Sequence, residues 1–298
     1  MEDQKKQIRI VPGLKPTHSD RRDFDYGKIF GTLEELPTQD FVIGSPIDIK
    51  QQFETDCCVA CGGASMAEYH ENTPLSMEYL FAKIKEEEGD YTTWGSDPRT
   101  MAKIVVSIGL LEEKNAPLKL KADNRNEIAN IANWPNEFLL EEKAFEHRQK
   151  SYFFINQGNY QDLFDAFRAA LWQNKDYKRA IGTGIFWCPE WTSKAVIDKM
   201  GTPTTPHFFI FIGQKTINGK IYLVAQLSNG TAIGDNGLFY FSREVLNASY
   251  LFMLQRMFLV KHMMFIDIPP QQAQQICWSF WLKVWHIIRK YFLDEIFK

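Results

Sequence analysis

Three of the chain's five cysteines, Cys57, Cys58 and Cys61, crowd into the stretch QQFETDCCVACGGA, residues 51–64. A zinc site needs a second pair of Cys or His at ligand spacing, and neither Cys188 nor the scattered histidines supply one. Cys58-Val59-Ala60-Cys61 has the spacing of a redox motif but sits in no βαβ pattern. Small thiols filling a closely packed helix are an ordinary structural use. A nucleophile is the remaining reading. At a helix N-terminus the unpaired N–H groups and the dipole lower a thiol's pKa from about 8.5 toward roughly 3.5–7.5. With Thr55 or Asp56 as N-cap, Cys58 falls in that first turn. Such a thiol also needs a distant histidine and a donor for the oxyanion. His207 opens the apolar run PHFFIFIG, where a lone His is ordinarily a core residue. No metal or organic cofactor is implied.

The elements that must hold these residues divide by texture. Residues 1–48 are rich in Pro, Gly and charge and predict an extended arm lying on a domain. CCVACGGASMAEYH predicts a helix with one thin face of Ala60, Ala64, Ala67 and glycines, built for close packing. Segments 75–89, 97–109 and 161–173 predict further amphipathic helices. Segments 180–187, 207–227 and 237–246 are β-rich, and INGK between two apolar runs signals a hairpin. Helices before strands predict an α+β fold with a domain over 49–265. A linker and a separate helix follow over 266–298. In that helix Trp278, Trp281, Leu282, Trp285, Ile288 and Phe292 form one stripe, which predicts docking to a protein partner or a membrane surface, or packing back onto the domain.

With 298 residues, 45% of them apolar, the chain can bury a sizeable core. A balance of 34 basic against 37 acidic residues predicts no broad attraction to nucleic acid or anionic lipid, which favours a peptide, protein or small-molecule substrate. The charged start is unlike a signal peptide. Five cysteines form no even framework, and this favours a cytoplasmic or otherwise reducing compartment.

Several motifs in order resemble the papain-like cysteine peptidases, in particular their bacterial-type members. Gln52 stands six residues before Cys58, like the oxyanion-hole glutamine of that family, and Ala60 matches its small residue two after the nucleophile. Gln51 stands in the same relation to Cys57, and Thr55 to Cys61. PLSMEYLFAKIKEEEGD is similar to the helix after the nucleophile helix, and Trp94-Gly95-Ser96 to the segment lining the substrate groove. THSDRRDFDYG resembles the preceding arm, and the stretch from EKAFEHRQ through AIGTGIF the middle of the domain. Pro206-His207 resembles the catalytic-histidine strand, and SNGTAIGDNGLFYF the glycine-rich stretch after it. The resemblance implies a two-lobed papain-like fold and peptide-bond hydrolysis. It gives Cys58 the role of nucleophile, His207 that of base and acid, Gln52 a place in the oxyanion hole, and Gly95 backbone for the substrate. Departures accompany it. Leu227 stands where the family's asparagine orients the histidine, Asn229 where its shielding tryptophan stands, and Val59 where an aromatic or Thr is usual. Asn229, on the same strand face as Leu227, and Gln226 are the candidates to orient His207 instead. A catalytically weak or inactive papain-like module, used for binding or assembly, is the alternative these departures raise.

Overall fold

The computed structural model describes residues 10–17, 24–44 and 48–267. The chain parts into two units, Met1–Phe265 and Ile266–Lys298; of the second, only Ile266 and Asp267 are described. The predicted helix over 274–298, with its docking, lies outside the described residues.

The arm carries a short helix, α1 (Tyr26–Phe30), and a short strand, β1 (Phe41–Val42). Four predicted elements follow closely: α2 (Cys58–Glu71), α3 (Met77–Glu87), α4 (Pro98–Ser107) and, later, α7 (Leu163–Gln173). Between them come α5 (Arg125–Ala129), α6 (Glu137–Phe145) and strand β2 (Tyr152–Ile155), whose short or irregular patterns gave no sequence signal. Ser76 caps α3 by accepting the Tyr79 N–H at 3.1 Å, and Asp97 caps α4 with Pro98 in its first turn. α2 is buried on nearly every side, and this is why its residues are so small. A Cβ at Gly62 would lie 2.6 Å from the Phe208 ring, so glycine sets how closely the helix meets the sheet.

The sheet comprises β3 (Ile181–Trp187), β4 (Val196–Ile197), β5 (Thr205–Ile217), β6 (Lys220–Gln226), β7 (Leu238–Phe241) and β8 (His262–Phe265) together with β1 and β2. Its order is β2-β8-β3-β5-β6-β7-β4, with β1 on β5. Only β4 with β7 is parallel among these pairs. The INGK hairpin joins β5 to β6, with Asn218 and Gly219 both at positive φ, as a tight two-residue turn requires. The expected β texture over 237–246 ends early. β7 stops at Phe241, and Ser242, accepting the Val245 N–H, caps helix α8 (Arg243–Gln255). The fold is α+β, with α2 packed against the long central strand β5.

Candidate active site

Cys58 opens α2, and its N-cap is Cys57, which makes no side-chain cap. The expected caps are employed elsewhere. Thr55 Oγ1 donates to the Gln52 carbonyl, and the Asp56 carboxylate takes Arg125 and the Gly95 N–H. The Gln52-to-Cys58 turn therefore bends back on itself, with Phe53 held at φ 53°, a conformation costly for a bulky residue. Gln52 is buried. Its N–H donates to the Ser228 carbonyl at 2.9 Å, its Oε1 accepts from Ser228 Oγ, and its Nε2 donates to the Thr55 carbonyl at 2.8 Å. One Nε2 hydrogen is left over. Gln51 instead faces Asn229 in an isolated antiparallel bridge.

Burial pushes the Cys58 thiol up to about 12, against the pull of the N–H groups of Phe208, Val59 and Cys58 itself, while Asp56 pushes it further up. Cys57 and Cys61 are raised by burial as well, and Cys61 Sγ rests on Met77 Sδ at 3.0 Å. Cys188, at the end of β3, is pushed up to about 11.

His207 lies on β5 opposite Ile185 of β3. Burial lowers its pKa to about 4, with the Val11 backbone pulling weakly the other way. Neither ring nitrogen has a hydrogen-bond partner of ordinary geometry among the described residues. Cys58 Sγ is thus not bonded to it, and neither orienting candidate reaches it. Gln226 Oε1 accepts from Tyr69 Oη at 2.7 Å, and Asn229 Oδ1 is buried without a partner among the described residues. Leu227 is buried in the core. The Trp187 ring stands edge-on to the imidazole at 6.3 Å between centroids, an aromatic neighbour from β3 that nothing in the sequence marked.

Residues 10–17 run across both groups. Gly13 donates its N–H to the Pro206 carbonyl at 3.3 Å, Ser96 N–H donates to the Gly13 carbonyl at 2.9 Å, and Lys15 N–H donates to the Ser96 carbonyl at 2.9 Å. Leu14 thereby forms a parallel bridge with Ser96. A Cβ at Gly13 would lie 2.5 Å from the Asp56 carbonyl oxygen and 2.7 Å from Cys58 Sγ, so the strap passes directly over the thiol and only glycine fits. Leu14 Cδ2 fills the space above Gly184, with Val260 beside it. Ile10, Val11 and Leu14 are all buried.

The backbone facing the strap is that of Ser96. Gly95, the residue named by resemblance, is turned the other way. Its N–H donates to Asp56 Oδ2 at 2.5 Å and its carbonyl accepts from Lys85 Nζ. Arg125 grips the Asp56 carboxylate at 2.7 and 2.8 Å and also donates to the Thr93 carbonyl at 2.9 Å. Glu88 accepts the Asp97 N–H at 2.9 Å. Buried charges thus hold Gly95 from behind while the Ser96 backbone faces residues 10–17. Elsewhere, the carboxylates of Glu86, Glu137 and Glu141 converge, but Lys83 Nζ sits among all three, so an ammonium already occupies the place of a cation.

No protein-family profile matches the chain, and no curated protein matches it. Solved structures do. Xylellain, a cysteine protease from Xylella fastidiosa, is similar at 17% identity and a TM-score of 0.67, over 89% of this chain and 99% of that one. Procathepsin B S9 from Trypanosoma congolense is similar at 13% identity and a TM-score of 0.60, over 88% and 87%. Bromelain from Ananas comosus is similar at 14% and 0.53, over 78% and 100%. The fold is papain-like.

Proposed function

We propose that this chain is a cysteine peptidase, held at rest by its own residues 10–17. In the working state His207 takes the Cys58 thiol proton, and the thiolate adds to a peptide carbonyl. The resulting oxyanion is met by the Cys58 N–H and the spare Nε2 hydrogen of Gln52. The imidazolium then gives its proton to the leaving amine, and water, deprotonated by His207, releases the acyl group from sulfur. One observation carries the reading: a single extended segment passes over the helix-terminal Cys58 and beside His207, pairing its backbone with Ser96 and Pro206 as a bound peptide would.

The resting chemistry fits. Under the strap both groups are dry, so the thiol and the imidazole are each held neutral. Solvent and substrate would restore the attraction that makes a thiolate and imidazolium pair. The test is labelling by an irreversible thiol-directed peptidyl probe after the strap is loosened by substitution. Cys58→Ala should abolish it, while Cys57→Ser and Cys61→Ser keep it; labelling lost only in Cys61→Ser would overturn the assignment.

The second reading is an inactive papain-like module for binding or assembly, and it is favoured by the His207 ring having no hydrogen-bond partner of ordinary geometry among the described residues. It takes over if no variant with a loosened strap reacts with any peptidyl probe while Cys58 still reacts with a small alkylating reagent.

A further inference from the structure

We propose that Glu88 is a specificity-determining residue of the groove, selecting a basic side chain at the position now filled by Lys15. The proposal deepens the peptidase reading, on which its second experimental arm alone rests.

Lys15 follows the apolar anchor Leu14, and its backbone N–H is fixed by the Ser96 carbonyl at 2.9 Å. Its stem then crosses the face of Gly95, where a Cβ would meet Lys15 Cγ and the Gly13 carbonyl, each at 3.3 Å. Beyond Gly95 its Nζ reaches Glu88 Oε2 at 2.6 Å. The carboxylate is set for this. It is largely buried at the end of α3, and its Oε1 is fixed by the Asp97 N–H at 2.9 Å. Its remaining partner, Lys85 Nζ, stands farther off at 3.3 Å and also serves the Thr93 and Gly95 carbonyls. Asp56, 4.0 Å from Lys85, is matched by Arg125. Arg125 thus matches Asp56, Lys85 lies between the two carboxylates, and the ammonium of Lys15 is the short contact of Glu88 Oε2. A neutral side chain of equal length would leave Glu88 Oε2 without its short contact, and an acidic one would oppose it. A long basic stem over a glycine, ending on an oriented carboxylate, is a chemical preference that a substrate lying along the same wall would meet in turn.

The first arm uses the full chain and needs no catalysis. Alkylation of Cys58 by iodoacetamide, located by fragment masses on the peptide it shares with Cys57 and Cys61, reports how often the strap lifts, and the buried Cys188 in the same digest reports general unfolding. The strap variants are Lys15→Arg, Lys15→Met and Lys15→Glu, each made in the native wall and again together with Glu88→Gln. In the native wall the rate should rise about tenfold from the wild type to Lys15→Met and further in Lys15→Glu, while Lys15→Arg stays near the wild type. With Glu88→Gln, which keeps an acceptor for the Asp97 N–H, the spread should fall to about threefold or less. A spread that persists with Glu88→Gln, or a strap held as well in Lys15→Met as in the wild type opposite the native Glu88, overturns the proposal. If Glu88→Gln raises Cys188 reactivity, the series in the native wall alone decides.

The second arm places the strap-loosening change Leu14→Asp in the full chain and compares peptidyl thiol probes whose leaders carry Lys, norleucine or Glu next to Leu. The Lys leader should label Cys58 fastest, with the advantage lost in Glu88→Gln. Equal labelling by all three overturns the specificity. No labelling by any, with the first arm as expected, removes the peptidase reading and leaves Glu88 as the selector of a basic residue on the strap.

Discussion

At Cys58 two effects oppose one another: the helix start favours the thiolate and burial under the strap disfavours it, and burial wins. The consequence is a pH signature. With the thiol at about 12 in the resting chain, its thiolate grows about tenfold per pH unit through neutrality and beyond. Alkylation of Cys58 in the wild type should therefore climb with unit slope from pH ~7 to ~10 without a plateau. In a strap-loosened variant a plateau should appear at lower pH, where the thiolate is already formed; identical profiles would refute the account. His207 offers a second test. Neither ring nitrogen has a hydrogen-bond partner of ordinary geometry among the described residues, and Leu227 cannot provide one; in Ser-His-Asp triads a histidine without its orienting group loses several powers of ten in rate, about four in the measured case. Leu227→Asn in a strap-loosened background should raise peptide turnover by tenfold or more, about 1.4 kcal/mol of barrier at the least. An unchanged rate, with the fold intact by circular dichroism, would mean that His207 is oriented without an amide.

At the scale of elements, the turn that leads into α2 and the segment around Gly95 depend on one buried carboxylate. Asp56 lies two residues before Cys58, yet its oxygens bind Arg125 at the start of α5 and the Gly95 N–H of the wall. Removing one member of a buried pair leaves the other charged and unpartnered, which typically costs ~3–5 kcal/mol. Asp56→Asn should therefore lower the urea midpoint sharply, and adding Arg125→Met should recover part of the loss. The segment around Gly95 should not recover fully, because in both variants its N–H meets at best a neutral amide oxygen in place of the Asp56 carboxylate. Peptide affinity should stay reduced in the double variant, and full recovery of both would show the pair to be structural alone. This device was illegible in the sequence: the partners are 69 residues apart, and an Asp before a helix reads locally as a cap. What was legible was local. The periodic runs gave α2, α3, α4 and α7, and the INGK signal gave the β5–β6 hairpin. The start of α8 was misread because SREVL follows an apolar strand without a break, and only Ser242 marks the change.

For the whole molecule, the segment that decides access to the thiol is the one the sequence described least. IVPGLKPT, residues 10–17, has no period and reads only as part of an extended arm lying on the domain, since its pairing with Ser96, more than eighty residues on, is visible only in the fold. Its hold is modest. Three buried aliphatic side chains contribute about 1.5–3 kcal/mol each, whereas fixing each ordered residue costs roughly 1–2 kcal/mol in backbone entropy. A strap so balanced should be shifted by one well-placed change, and Gly13 is the place. A Cβ there would lie 2.5 Å from a backbone oxygen and 2.7 Å from Cys58 Sγ, and the oxygen, at the entry to α2, cannot give way without disturbing the turn that leads into the helix. Gly13→Val must therefore lift the strap while leaving the sheet and α2 untouched. Alkylation of Cys58 near neutral pH should accelerate by roughly a hundredfold, as expected when a clash of about 3 kcal/mol displaces a segment of marginal stability. Gly13→Ala should act in the same direction, and Cys188 should stay at its wild-type rate in both. The melting temperature should move by only a few degrees, because the core between α2 and β5 does not include the strap. If Gly13→Val leaves Cys58 as slow as in the wild type, the protection of the thiol comes from the domain itself, and residues 10–17 merely lie alongside it.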